Sequence, residues 1–204
     1  MSESNPHLPV YVVDDDESVR DSLQFMLQEH GFHVATFASG KAFLDHINQL
    51  KPGCVILDSR MPELRGQQVH QRLNEANSPL AIIYLTGHGD VPMAVDALQA
   101  GAIHFFQKPV KGDELAAAIT QGLQQSASKL DLLAAKTAFE SLTTREKEIL
   151  KLLIAGKRNI RIADELCIAQ RTVEVHRANL MKKFAASTVA ELAYVYGQLA
   201  KVMR

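Results

Sequence analysis

Polar, reactive side chains stand where four short apolar runs stop. Asp14 and Asp15 follow Val10-Tyr11-Val12-Val13, and Asp58 follows Cys54-Val55-Ile56-Leu57. Thr86 closes Ala81-Ile82-Ile83-Tyr84-Leu85, and Lys108 follows Ile103-His104-Phe105-Phe106-Gln107. Three carboxylates, a hydroxyl and an ammonium can together hold a divalent cation and a phosphoryl group. Mg2+ takes oxygen ligands, keeps several waters, and is commonly bound by one or two carboxylates plus a phosphate. Clustered carboxylates repel one another, so a cation among them relieves an electrostatic cost. An Asp carboxylate is also a nucleophile toward phosphorus and forms an aspartyl-phosphate. Phosphoryl transfer then needs mainly positioning and charge neutralisation. In such a pocket Lys108 would pair with phosphate oxygens, and Thr86 would donate a hydrogen bond to one.

For these groups to meet, the runs that precede them must lie side by side. Short apolar runs rich in β-branched residues read as buried parallel strands when helical segments separate them. Open α/β sheets bind ligands at the carboxyl ends of their strands. The intervening segments fit helices. One over 18–30 has Val19, Leu23, Met26 and Leu27 on one face, and Gly31 stops it. After a strand over 33–37, Ser39 can cap a helix carrying Phe43, Leu44 and Ile47. Pro52-Gly53 makes a turn, Met61-Pro62 and Gly66 mark a loop, and Asn77-Ser78-Pro79 ends a helix carrying Val69 and Leu73. Gly87-His88-Gly89-Asp90 is a loop whose glycines give freedom, and helices over 91–100 and 113–125 complete five βα units. Asp16 and Glu17 fit the first turn of a helix better than a ligand set. Right-handed crossovers put helices on both faces of the sheet.

The rest of the chain differs in kind. Residues 1–136 carry 10 Lys and Arg against 16 Asp and Glu, whereas residues 137–204 carry 12 against 7. The net charge of −1 therefore divides into −6 and +5, and the basic end suits an anionic partner. The stretch 126–140, without Gly or Pro, reads as a helical, partly exposed linker. Beyond it the pattern is all helical. Thr143 or Thr144 can cap a helix, with Glu146 placed for a capping box, and Ile149, Leu150, Leu153 and Ile154 make its apolar stripe. Helices over 159–166 and 171–184, joined at Cys167-Ile168-Ala169, read as a helix-turn-helix, followed by a helix over 188–201. No apolar stretch approaches the roughly 20 residues that span a bilayer, and no signal peptide is visible. Two cysteines in different segments fit a reducing cytoplasm rather than a disulfide framework.

With Val12-Val13-Asp14-Asp15, Asp58-Ser59-Arg60-Met61-Pro62, Thr86-Gly87-His88-Gly89-Asp90 and Lys108-Pro109, residues 8–125 resemble the receiver domain of bacterial two-component response regulators. The resemblance implies a (βα)5 flavodoxin-like α/β fold and makes Asp58 the phospho-acceptor. It assigns Mg2+ to Asp15, Asp58 and the backbone carbonyl of Arg60, with Asp14 acting directly or through water. It makes Thr86 and Phe105 a switch pair, and Lys108-Pro109 a cis peptide. On periodicity alone Phe105 and Phe106 are core and helix-facing residues.

The C-terminal segment resembles the helix-turn-helix of NarL/FixJ (LuxR-type) regulators. This rests on Leu142-Thr143-Thr144-Arg145-Glu146, Gly156, Asn159, Ile162-Ala163, Leu166 and Arg171-Thr172-Val173-Glu174-Val175-His176-Arg177. The loop Thr86 to Pro92 points to the FixJ branch. Recognition helices set their first residues against base edges and basic residues against phosphates. Thr172, Glu174, Val175 and Ala178 are the base-reading candidates; Glu174 can accept from cytosine, and Val175 or Ala178 can touch a thymine methyl. Arg161, Arg171, Arg177, Lys182 and Lys183 are the phosphate candidates. Val173, Leu180 and Phe184 read as core. His176 fits either a phosphate or a neighbouring helix. The family commonly has Asn-Lys-Glu-Ile-Ala where this chain has Asn159-Ile160-Arg161-Ile162-Ala163, which moves the basic residue by one position.

The expectation is a two-domain regulator: a receiver over 1–125, a linker over 126–140 and an all-α DNA-binding domain over 141–204. A sensor histidine kinase would phosphorylate Asp58, and the phosphorylated homodimer would bind double-stranded DNA, with half-sites about one helical turn apart. RNA polymerase is a further candidate partner, and no membrane is expected. The helix over 188–201, with Leu192, Val195 and Leu199, is a further dimer candidate. Catalysis beyond self-directed phosphoryl transfer and hydrolysis is not expected. Two alternatives have other consequences. A phosphorylation-independent DNA-binding dimer would use the receiver as scaffold. An Asp-x-Asp phosphatase would need a second acid at position 60, where this chain has Arg60.

Overall fold

The structure is a computed structural model and describes residues 8–46, 51–87 and 91–203. The chain divides into two compact units between Lys129 and Leu130.

In the first unit, β1 (Val10–Val13), β2 (Val34–Phe37), β3 (Cys54–Leu57), β4 (Ala81–Thr86) and β5 (His104–Gln107) form one parallel sheet in the order β2-β1-β3-β4-β5. This is the doubly wound order whose reversal at β1 and β3 opens a crevice at the carboxyl edge. Between the strands lie α1 (Glu17–Glu29), α2 (Gly40–Asp45), α3 (Gly66–Glu75) and α4 (Val91–Gln99), and α5 (Gly112–Glu140) follows β5. Alternation along each strand divides the interior in two. Tyr11, Val13, Val55, Leu57 and Tyr84 pack with Phe43, Val69, Leu73 and Ala97 of α2, α3 and α4. Val10, Val12, Ile56, Ile83 and Leu85 pack with Leu23, Leu27, Leu115 and Ile119 of α1 and α5. Each fully buried Leu or Ile contributes about 1.5–3 kcal/mol.

Local signals explain the boundaries. Asp16 caps α1, its carboxylate accepting from the amides of Ser18 at 2.9 Å and Val19 at 3.4 Å. Ser39 caps α2 by accepting from the Ala42 amide at 3.1 Å. Gly31 and Gly101 have positive φ, which ends their helices at little steric cost. Ile47, assigned from sequence to the α2 stripe, lies outside the described residues.

In the second unit, the last turns of α5 join α6 (Thr144–Ile154), α7 (Asn159–Leu166), α8 (Gln170–Lys183) and α9 (Val189–Val202) around one core. Leu142, Ile149, Leu150, Leu153, Ile162, Val173, Leu180, Phe184 and Leu192 form it, and Ile154 packs against it half-buried. The stretch read as a linker is part of α5 itself. Its Ala135 and Ala138 are buried in this core, with Phe139 packed against it, while most of the stretch is exposed or half-buried. Among the described residues no helix is long and apolar enough to cross a membrane.

Candidate functional site

The strand ladders continue past β1, β3 and β5 and set the reactive residues on one edge. The Asp14 amide donates to the Phe37 carbonyl at 3.2 Å, the Asp58 amide to the Val13 carbonyl at 2.9 Å, and the Lys108 amide to the Thr86 carbonyl at 2.9 Å. Asp14 and Asp58 are thereby held at the switch point, both buried, with 3% and 7% of their surface exposed.

Lys108 binds both. Its Nζ lies 2.5 Å from Asp14 Oδ2 and 3.4 Å from Asp58 Oδ1. The second oxygen of each carboxylate accepts a backbone amide, Asp16 N on Asp14 at 3.0 Å and Arg60 N on Asp58 at 2.9 Å. Burial pushes the Asp58 carboxyl above the usual carboxylate range. The Arg60 amide and Lys108 pull the other way, and neighbouring Asp14 adds to the rise. Burial alone would lower Lys108, but its bonds to Asp14 and then Asp58 outweigh that and hold the ammonium above its ordinary range.

The structure brings Asp14, Asp58 and Lys108 together and leaves Asp15 exposed. Among the described residues no group of three or more His, Cys, Asp or Glu side chains is assembled to hold a metal ion. Lys108 stands beside Asp14 and Asp58, and its ammonium relieves the same repulsion that a cation would. The donor set still suits Mg2+ in kind. It consists of hard carboxylate and carbonyl oxygens.

Thr86 is buried, and its Oγ1 lies 2.6 Å from the hydroxyl of Ser59. Phe105 is half-buried, with its ring stacked on Tyr84 at 5.9 Å between centroids. Phe106, its neighbour, packs on the opposite face of the sheet. Lys108-Pro109 is a cis peptide. His88, Gly89 and Asp90 lie outside the described residues. Two participants escape a sequence reading. Arg20 donates from Nη1 to the Asp14 carbonyl at 2.8 Å, and Ser59 holds Thr86. Arg20 lies one turn beyond Asp16 on α1, a spacing that points it back at the strand end; nothing in the spacing marks Ser59.

In the second unit, α7 ends at Cys167 in the left-handed conformation, φ 52°, and α8 follows after Ala169. Val173, Leu180 and Phe184 are buried, which turns Arg171, Thr172, Glu174, Val175, Ala178 and Lys182 to solvent. Val175 is 55% exposed, an uncovered apolar group on an otherwise polar face. Arg161 and Ile160 are also exposed. Arg177 is half-buried and donates to Asn159 Oδ1 at 3.3 Å, tying α8 to the first residue of α7. Arg145 donates to the Leu166 carbonyl at 2.6 Å and so holds the end of α7.

Lys183, a phosphate candidate by sequence, is paired within the unit. Its Nζ bonds Glu146 Oε2 at 2.9 Å, and the Glu146 carboxylate in turn accepts from the Thr143 amide at 2.9 Å. The ammonium serves the core of the unit because Glu146, only 5% exposed, needs a counter-charge. His176 has a buried Nδ1 with no hydrogen-bond partner among the described residues.

Comparisons with known proteins agree with this division. Residues 10–120 match the family model of the response regulator receiver domain. Residues 140–196 match that of bacterial regulatory proteins, luxR family. The chain is 44% identical to the transcriptional regulatory protein FixJ of Bradyrhizobium diazoefficiens over 187 residues, 90% of this chain and 91% of that one. It is 42% identical to the response regulator protein TmoT of Ectopseudomonas mendocina over 194 residues, 93% of this chain and 88% of the other. The solved structure of the response regulator StyR superposes with a TM-score of 0.68 at 41% identity, covering 93% of this chain and 98% of StyR.

Proposed function

This chain belongs to the FixJ-like response regulators, transcription regulators in which phosphorylation of a receiver domain controls a LuxR-type DNA-binding domain, and from that premise we propose that Asp58 is the residue phosphorylated. The single observation that carries the assignment is Lys108 bound to Asp14 and Asp58 together at the carboxyl edge of β1 and β3. A sensor histidine kinase is the phosphoryl donor. Asp58 is the nucleophile, with Oδ1 only weakly held by Lys108 at 3.4 Å and Oδ2 steadied by the Arg60 amide.

Asp15, Asp58 and the Arg60 carbonyl would hold Mg2+, with Asp14 beside them. Such an ion supplies charge neutralisation for the phosphoryl oxygens. Lys108 pairs with a phosphoryl oxygen, and Thr86 donates to another. The added charge, about −1.5 to −2 at pH 7, draws Thr86 inward, and Phe105 turns into the space it leaves. The face of α4 carries Val91, Val95 and Leu98, all exposed, and we assign homodimerisation there and at α9. Dimerisation sets two copies of α8 on neighbouring half-sites of double-stranded DNA.

On that DNA, Thr172, Glu174, Val175 and Ala178 read base edges, and Arg161, Arg171 and Lys182 neutralise phosphates. Arg177 contributes to the phosphate set while aligning α7 with α8. RNA polymerase is the partner that converts binding into transcription, in the cytoplasm. The domain borders follow the sequence assignment, with 126–140 counted as the helix that feeds the second core. The only chemistry inferred is phosphoryl transfer to Asp58 and its hydrolysis.

The test is phosphorylation by acetyl phosphate with Mg2+. The chain as it stands incorporates acid-labile phosphate, and Asp58→Asn incorporates none. Gel shifts with and without beryllofluoride then report the coupling. Full labelling of Asp58→Asn removes Asp58 from the role, and equal DNA affinity in both states supports the scaffold alternative.

A further inference from the structure

The Ser59 side chain has no part in the phosphoryl chemistry proposed above, yet its hydroxyl is bonded to that of Thr86. Ser59 is 1% exposed and Thr86 is 1% exposed, and their hydroxyl oxygens are 2.6 Å apart. This is a short bond between two neutral groups with water excluded. It spans the ends of β3 and β4, the two strands that carry Asp58 and Thr86.

The backbone beneath Ser59 is clamped. The Gly66 amide donates to the Ser59 carbonyl at 3.1 Å. A Cβ at Gly66 would stand 2.4 Å from the Asp58 carbonyl oxygen and 3.0 Å from the Ser59 Cα, so α3 abuts this turn with no spare room. The Ser59 backbone is therefore fixed while Thr86 moves. A threonine that turns away to a phosphoryl oxygen stretches or breaks the bond and leaves the Ser59 hydroxyl behind it.

We propose that Ser59 is a positioning residue, a latch that holds Thr86 in its unphosphorylated orientation and so sets how much of the chain is active without phosphate. The proposal rests on the reading of Thr86 as the switch residue. A bond present in only one of two states shifts their equilibrium by its own net worth. Removing the Ser59 hydroxyl deletes a bond of the inactive state and also a buried unpaired hydroxyl of the active one. Both changes favour the active state.

The experiment uses the full chain with Mg2+ and beryllofluoride as the phosphoryl mimic. Calorimetry gives the beryllofluoride affinity, and a gel shift gives DNA affinity in its absence. Ser59→Ala tightens beryllofluoride binding about three- to tenfold, the net worth of one neutral hydrogen bond, and raises mimic-free DNA affinity in the same direction. Ser59→Cys, close in size but a weaker hydrogen-bonding group, moves both readouts the same way by less, and provides the test where Ser59→Ala does not fold. In a Thr86→Val background, which keeps shape but lacks the hydroxyl, Ser59→Ala leaves beryllofluoride affinity unchanged. Unchanged or weakened binding in Ser59→Ala overturns the latch, and so does equal tightening in the Thr86→Val background. Thr86→Val by itself weakens beryllofluoride binding; if it does not, the switch reading of Thr86 fails, and the latch with it.

Discussion

Lys183 on the last turn of α8 reaches the buried carboxylate of Glu146 on the first turn of α6, 2.9 Å away. The same carboxylate closes the capping box with Thr143. One side chain thus ends the recognition helix and completes the start of another. Lys183→Met strands a buried carboxylate and destabilises the second unit by about 1–2 kcal/mol, the lower range because Lys183 is partly exposed. Thermal unfolding of the full chain measures this. The bond to Lys183, then that from Thr143, holds Glu146 below its ordinary carboxyl range. Its stabilising effect is therefore complete above the unfolded carboxyl value of 4.5 and is lost as pH falls below it. In Lys183→Met that acid-side loss is smaller.

Lys182 provides the contrast. It is exposed on α8, and its neighbour in sequence is the lysine engaged with Glu146. Lys182→Ala and Arg171→Ala each lower the slope of log affinity against log salt by about one and weaken all DNA sequences alike. Lys183→Met leaves that slope unchanged. Val175→Ala leaves it unchanged too, but relaxes preference at one base pair, worth about 1–3 kcal/mol of discrimination. Gel shifts over a salt series, with single-base-pair variants of a bound site, separate the three cases.

The receiver core has its own pH sensitivity at His70. This residue is 2% exposed, its Nδ1 lies 3.3 Å from the Tyr84 hydroxyl, and its ring also bonds the Ala100 carbonyl. Burial lowers its pKa, with the charge of Lys129 adding and the Ala100 bond opposing. A neutral imidazole is thus retained in the fold while the unfolded chain takes up a proton near pH 6.5. The contribution is fully present above that pH and falls as pH drops through it, by at most about 1.4 kcal/mol per pH unit. Urea unfolding from pH 7.5 to about 5.5 shows the decline, and His70→Gln removes it.

Lys108 holds apart the mutual repulsion of Asp14 and Asp58. Lys108→Met leaves these two buried acids without their shared cation. Mg2+ binding without a phosphoryl group then tightens severalfold, because the ion alone relieves the repulsion. Beryllofluoride binding weakens about tenfold or more, through loss of a charge-assisted bond. Titration of both ligands on one variant distinguishes this from general damage, which would weaken both.

Gly66 marks the tightest backbone approach at the site. A Cβ there would meet the Asp58 carbonyl oxygen at 2.4 Å and Tyr84 Cε1 at 3.1 Å. Gly66→Ala destabilises the first unit by about 1–3 kcal/mol, an overpacking cost, and slows labelling of Asp58 by acetyl phosphate. Calorimetric melting and the phosphorylation time course report the two effects.

Much of this was legible from residue type and spacing. The apolar runs ending at Val13, Leu57 and Thr86 became parallel strands within a residue of the expected ends, since short, continuous, β-branched apolar runs suit strands buried on both faces. Glycines at 31, 101 and 156 adopt positive φ where helices stop. The pairing of Thr143 with Glu146 also follows from its spacing. Long-range choices were not legible. Glu146, bonded to Lys183, is 37 residues from it, and Ser59, bonded to Thr86, is 27 residues from it. Such pairs depend on how whole elements pack, so local pattern shows a basic residue or a hydroxyl but not what holds it. Within 126–140, read as a helical and partly exposed stretch, Ala135 and Ala138 look bland, and only packing shows these two as core.

Phe105 and Phe106 are neighbours on β5 that face opposite ways, one toward Tyr84 and the other toward the layer of α1 and α5. Because the two side chains share one stretch of backbone, the α1 and α5 layer that packs Phe106 also fixes the height at which Phe105 sits on the opposite face. Under the switch proposed for Thr86 and Phe105, a variant that loosens the packing of Phe106 changes beryllofluoride affinity although it touches neither the acids nor the threonine.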